Sequence, residues 1–219
     1  MKEVTFVLTS CNRPDLLEKT LDSFFKFNTY PIKKYVVIED SGKPNINDHL
    51  KEKYKDHNFV WIDNPKNLGQ MKSIDLAYAH VDTEYIFHCE EDWEFYRSGF
   101  IEDSLEVLES NKKIIQVWLR EVNDTNGHPL DPQYYASSIG GKKFRLLAMH
   151  YFSVWNGFSF NPGLRRLRDY ELIKPIEQFD GEPWVSVKYG ELGFRAAIFD
   201  QGYVRHLGWG RKAKDTLKQ

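Results

Sequence analysis

Cysteine is scarce in this chain. Two residues, Cys11 and Cys89, occur among 219, and neither stands in a CxxC spacing. That excludes a disulfide framework, and a reducing compartment is the easier fit. A surplus of charge is missing too: 30 Lys and Arg against 32 Asp and Glu leave a formal net charge of −2. The chain therefore lacks a global electrostatic footprint for nucleic acid, and no nucleic-acid partner is expected. The short basic end, RKAKDTLKQ, reads either as a tail or as a phosphate-facing segment. Long apolar runs are lacking, so no transmembrane segment is expected. The opening MKEVTFVLTSC is broken by polar residues too early for a signal peptide. Together these absences suggest a cytoplasmic protein, with contact at the periphery of a membrane left open. Internal repeats and low-complexity tracts are also missing.

What is present is a globular composition, 41% hydrophobic and 28% charged. Six Trp, twelve Tyr and fifteen Phe exceed what a minimal core needs, so some are expected to line a site. The length suits one substantial core, read as a single domain over 1–219 with a nucleotide-type half (1–119) and a more variable half (120–219). Segments 4–8, 35–38, 58–62, 85–89 and 114–119 read as short buried strands. Helical patterns lie between them: from Pro14, with Leu17, Leu21 and Phe24 on one face; over 46–54; on the stripe Met71, Ile74 and Tyr78; and over 100–108. Strands alternating with helices predict an α/β fold with a mostly parallel central sheet. The second half is less regular. It offers a loop over 123–132, aromatic strands or a hairpin in FRLLAMHYFSVWNGFSFNP, helices over 164–173 and 184–192, and two short strands in RAAIF and YVRHLGW.

In open parallel sheets, ligands bind beyond the carboxyl ends of the strands. Here those ends read TSCNR, EDSG, DNPKNLGQ and EEDW. The stretch YIFHCEEDWEF places Glu90, Glu91 and Asp92 where a hydrophobic strand stops. A solvated turn is the plain reading of such a triplet. At a strand end, however, alternation would send Glu90 and Asp92 one way and Glu91 the other. Two converging carboxylates need a cation, and Mn²⁺ or Mg²⁺ shared with diphosphate oxygens suits them.

The run VTFVLTSCNRPDLLEKTLDSFF resembles the opening of family 2 glycosyltransferases with the GT-A fold. VVIEDSG is similar to that family's second-strand acids, and NPKNLGQMKSIDLAYA to its Asn-x-Gly segment and following helix. EEDW takes the place of the Asp-x-Asp metal motif, and VRHLGWGR resembles the closing segment. The resemblance is continuous over roughly 3–110 and returns over 178–211. It departs at Glu90, where the motif usually begins with Asp, and at Glu182, which Pro183 follows in place of an acid.

The resemblance implies an inverting, metal-dependent enzyme. It would move a sugar from a nucleotide-diphosphate donor, most often UDP, to a hydroxyl of a glycan, lipid-linked or protein acceptor. Glu90, Asp92 and His206 would hold the metal, and Glu91 would face the donor sugar. Thr9, Asn12, Arg13 and Asp40, with one of Gln70 and Lys72, would contact the nucleotide, and Trp209, Arg211 or Lys212 the diphosphate. The base that deprotonates the acceptor is expected at Glu182, with Asp180 in reserve. Trp155, Phe158 and Trp184 are candidate stacking faces for an acceptor sugar, against core packing as the plainer reading. Asn12 and Asp180 equally suit helix caps, Asp40 a turn, and His206 a structural role. A sugar-phosphate nucleotidyltransferase is disfavoured because TSCNRPD contains no glycine. The other alternative is a catalytically impaired nucleotide- or glycan-binding protein of the same fold.

Overall fold

The computed structural model describes residues 1–137, 141–150 and 155–210. Strands β1 (Val4–Ser10), β2 (Lys34–Glu39), β3 (Phe59–Asp63) and β4 (Tyr85–Glu90) lie parallel in the order β3–β2–β1–β4. Helices α1 (Pro14–Phe27), α2 (Asp48–Lys53) and α3 (Gln70–Tyr78) connect them, and α4 (Phe100–Ser110) follows. The strands read as continuous apolar runs because both faces are covered. Val4, Phe6 and Leu8 of β1 pack with Leu17, Leu21 and Phe24 of α1. Val7, pointing the other way, packs with Ile74 and Ala77 of α3. Each such large side chain contributes about 1.5–3 kcal/mol through burial. This layering brings the carboxyl ends of β1, β2 and β4 to one edge of the sheet.

Pro14 opens α1 where a missing N–H costs nothing, with Asp15 in its first turn and Lys26 in its last. The cap residue is Arg13, which makes no side-chain cap bond. Asn12 stands one residue before the cap, its backbone in the left-handed conformation, φ 57°.

The second half adds a sheet in the order β6–β10–β8–β7, from β6 (Ile114–Trp118), β7 (Leu130–Ser137), β8 (Lys143–Leu147) and β10 (Arg195–Phe199). Two short strands, β5 (Trp93–Phe95) and β11 (Val204–His206), pair antiparallel and set His206 opposite Trp93. Helix α6 (Glu182–Glu191) begins two residues before its predicted start. The helix expected over 164–173 is replaced by β9 (Gly163–Arg166) and a five-residue helix α5 (Leu167–Glu171). The physical reason is tertiary. β9 pairs antiparallel with β4, Phe87 opposite Leu164 and Ile86 opposite Arg165, and this long-range ladder overrides the local helical pattern. The loop expected over 123–132 gives way to β7 at Leu130. No described helix is long and apolar enough to cross a membrane.

Candidate active site

The three acids of EEDW do not alternate as a continuing strand would place them. β4 ends at Glu90, and Glu91 and Asp92 form the turn into β5. Helix α1 pins that turn: the Thr20 hydroxyl donates to the Glu91 carbonyl (2.7 Å) and accepts from the Trp93 N–H (3.1 Å). As a result Glu91 and Asp92 converge, and what lies between them is Arg13. Its Nε donates to Glu91 Oε1 at 2.8 Å and its NH1 to Asp92 Oδ2 at 2.8 Å, all three side chains being buried. Cys11 N–H also donates to Glu91 Oε1, at 3.0 Å. Glu90 accepts from Gln70 Nε2 at 2.7 Å.

The electrostatics follow from this arrangement. Burial pushes the Glu91 carboxyl up to about 7 against the pull of Arg13. Glu90 rises well above the ordinary range through burial and through repulsion from Asp92, Glu182 and Glu91. Burial also opposes ionisation of Asp92, but the His206 hydrogen bond and Arg13 outweigh it and hold that carboxyl down. The group around Glu90 is thus short of positive charge.

His206 reaches the group because β11 pairs with β5. Its Nε2 stands 3.3 Å from Asp92 Oδ2, and its ring lies between those of Trp93 and Trp209, at 4.9 and 5.0 Å. Gly208 packs directly against this pair: a Cβ there would collide with Asp92 Oδ2 and come within 3.0 Å of His206 Nε2. A carboxylate and an imidazole 3.3 Å apart, next to a carboxylate short of counter-charge, are the ligand types that fit a divalent cation. Among the described residues no three His, Cys, Asp or Glu side chains gather into a complete ligand set. Glu90, expected as a ligand, accepts the Gln70 amide at one oxygen.

A cleft of about 330 Å³ opens at the same strand ends, lined among others by Thr9, Ser10, Arg13, Asp40, Gly69, Gln70 and Glu90. The start of α3 faces it with no acid in its first turn, an arrangement that favours an anion. Asp40 lines the cleft, but both its oxygens are already engaged. Oδ1 accepts from Asn64 Nδ2 (2.7 Å) and Leu68 N–H (2.8 Å), and Oδ2 from Asn67 Nδ2 (3.0 Å) and Gly69 N–H (2.8 Å). In this structure it ties the 64–69 loop to β2. Asn12 N–H donates to Glu39 Oε1 at 2.9 Å. Lys72 stands outside this lining, its Nζ 3.4 Å from Glu177.

Glu182 lines a second cavity of about 200 Å³ with Trp118, Asn126, His128, Trp155 and Asn161. It is the first residue of α6, after Gly181 at φ 91°. Its Oε2 accepts from the Phe160 N–H at 2.6 Å and the Ser159 hydroxyl at 3.4 Å. Burial raises its carboxyl to about 7, opposed by the Phe160 hydrogen bond, Arg165 and Ser159. Asp180 is exposed.

The aromatics expected at the acceptor separate. Trp155 lines the Glu182 cavity, and Trp184 is 46% exposed. Phe158 is 2% exposed and packs on Phe160 and Tyr189, so it belongs to the core and offers no stacking face. Trp209 is 65% exposed. Arg211 and Lys212 lie outside the described residues. Sequence reading missed Asn67 and Gly69 as cleft residues, although both lie in the quoted Asn-x-Gly segment. It missed Asn126 and His128 altogether, since a turn-rich loop gives no sign of the wall it forms.

Residues 5–169 match the family described as Glycosyl transferase family 2. The chain is 25% identical over 89 residues to poly-beta-1,6-N-acetyl-D-glucosamine synthase of Staphylococcus epidermidis, a stretch that is 41% of this chain and 21% of that relative. Its fold is similar to that of S. aureus TarS 1-349, with a TM-score of 0.65 at 14% identity, covering 92% of this chain and 59% of the other. TarS 1-349 has also been solved with UDP and with UDP-GlcNAc. The mannosyltransferase PcManGT of Pyrobaculum calidifontis, solved with GDP-Man and Mn²⁺, superposes with a TM-score of 0.61 at 16% identity, covering 89% of this chain and 54% of that one. The chain thus spans about a fifth of the curated relative and less than two thirds of these solved chains. The likeness to the solved structures is one of fold, and it is the GT-A fold that the family resemblance implied. With most of its length inside the family match, this chain belongs to glycosyl transferase family 2.

Proposed function

We propose that the chain transfers a sugar from a nucleotide-diphosphate donor, a UDP-sugar, to a hydroxyl of a glycan acceptor, with inversion and with a divalent cation. One observation carries this reading. Glu90 lines the strand-end cleft and Glu182 the second cavity, and the charges of these two carboxylates act on each other. The GDP-Man and Mn²⁺ of PcManGT and the UDP-GlcNAc of TarS support a nucleotide-sugar in the cleft. A cytoplasmic location, with acceptors met at a membrane periphery, belongs to the same proposal.

The donor's nucleotide would lie in the cleft between Thr9, Asp40 and Gln70. Asp92 and His206 would hold the cation, which when bound supplies positive charge to a leaving diphosphate. Arg13 keeps Glu91 and Asp92 in place. Across the carboxylate group, Glu182 takes the proton of the acceptor hydroxyl. The hydroxyl oxygen then forms its bond to the anomeric carbon while the bond from that carbon to the diphosphate oxygen breaks on the opposite face, inverting the configuration. With its carboxyl raised to about 7, Glu182 sits near the operating pH of an effective base. The rate should therefore rise with pH through about 7, as Glu182 ionises. Trp155 offers an apolar face to a sugar's C–H groups.

Glu182→Gln tests the reading. It should keep nucleotide binding and lose transfer by about 10²–10⁴-fold, the usual worth of a general base. Transfer near the wild-type rate would place the base elsewhere, with Asp180 next to be replaced. The anomeric configuration of the product, read by NMR, should be opposite to the donor's.

A further inference from the structure

Strand β9 ends in two consecutive buried arginines with different surroundings. Arg166 faces one side of the sheet and has a counter-ion, Asp169, at 2.8 Å, together with the Ile114 and Leu108 carbonyls. Arg165 faces the other side and is 2% exposed. It forms no ion pair with any described residue, and its Nε has no partner among them. Its NH2 donates to the Ser159 and Asn161 carbonyls at 3.2 and 3.4 Å, its NH1 to the Tyr78 hydroxyl at 3.3 Å, and its guanidinium lies 5.0 Å from the Phe158 ring. A buried cation without a counter-ion is costly and calls for an explanation.

The segment that Arg165 grips gives one. Residues 159–161 donate the Phe160 N–H and the Ser159 hydroxyl to Glu182. Arg165 stands behind this segment, outside the lining of the cavity. We propose that Arg165 is a positioning residue for the Glu182 carboxylate: it clamps the 159–161 segment from behind and supplies the buried positive charge that the ionised carboxylate answers. Its charge also favours ionisation of Glu182, second to the Phe160 hydrogen bond among the opposing effects. Glu90, at the end of β4, adds a like charge to Glu182, and burial lowers the basicity of His128 in the same cavity. Arg165 is the cation whose charge acts on Glu182. This inference rests on Glu182 as the base of the proposed reaction only for its catalytic consequence; the coupling between the two residues stands apart from it.

The experiment is a carboxyl-carbon NMR titration of the glutamate-labelled protein from pH 5 to 9, with Glu182→Gln to assign the signal. In Arg165→Met the Glu182 midpoint should move up by about one pH unit, a tenfold fall in its ionised fraction at pH 6. Arg165→Lys, which keeps the charge but not the fork, should stay closer to wild type. If Arg165→Met does not fold, Arg165→Gln, which can still donate to the Ser159 carbonyl, carries the same comparison. An unmoved midpoint in the neutral variant overturns the inference. The pH profile of sugar transfer separates the two readings. If the acidic limb moves with the titration, Arg165 positions the base. If the titration moves and the limb does not, the coupling is real and Glu182 is not the base.

Discussion

Replacing Arg13 with methionine should be among the most destabilising single changes at this site. Methionine keeps an unbranched apolar stem and removes only the fork. What it leaves behind is the Glu91 and Asp92 carboxylates, both buried and each losing a bond of 2.7–2.8 Å. Breaking a buried ion pair from one side costs about 3–5 kcal/mol. We expect about 4 kcal/mol here at pH 8, or about 10 °C in Tm for a chain of this size. The pH dependence is the sharper test. Glu91 is raised to about 7 in the folded protein. A raised carboxyl favours folding below its unfolded value, about 4.3, and that contribution is lost as pH rises through the folded value. Without Arg13 the folded value climbs further, so the cost of the substitution should grow between pH 5 and pH 8. Asp92 works in the opposite sense. Its lowered carboxyl stabilises the fold above its unfolded value, about 3.9, so the cost at pH 5 should be smaller but not zero. Urea unfolding followed by tryptophan fluorescence at both pH values measures this, provided the slope m is unchanged. A cost below about 1 kcal/mol at pH 8, or an equal cost at both values, would refute the reasoning.

Gly208→Ala should lower cation-supported UDP affinity at least about tenfold, because the added Cβ collides with Asp92 Oδ2 and displaces it; calorimetry that finds wild-type affinity would show that the position of Asp92 does not matter for binding. Asp40→Asn should cost about 2–4 kcal/mol, since its new NH₂ would face groups that themselves donate, the Leu68 and Gly69 N–H among them. A denaturation midpoint within error of wild type would mean that Asp40 does not hold the 64–69 loop.

The parallel half of the fold was legible because its information is local. Strands buried on both faces are continuous apolar runs, so 4–8, 35–38 and 85–89 were found within a residue or two of β1, β2 and β4. β9 was not, because Gly163–Arg166 becomes a strand only through β4, more than seventy residues upstream. The site shows the same division. EEDW was recognisable as a functional strand end, but the partners of its acids were not. Alternation predicted Glu90 with Asp92, and the turn after β4 instead joins Glu91 to Asp92 through Arg13. Arg13, expected at the nucleotide, lines the cleft while two carboxylates hold it, and Asp40, expected to bind a base or ribose, lines it while accepting from four donors of its own chain. Residue type announces the capacity to bind. Whether a ligand or the chain itself uses that capacity depends on loop geometry, which no single stretch of sequence carries.

The most direct test is calorimetric binding of UDP to the wild-type protein and to Asp92→Asn, each with and without Mn²⁺, with circular dichroism to show that both are folded. The proposed site predicts that Mn²⁺ strengthens UDP binding to the wild type and does nothing for Asp92→Asn. Equal Mn²⁺-dependent affinity in the two proteins, or no UDP binding by the wild type under either condition, would contradict it.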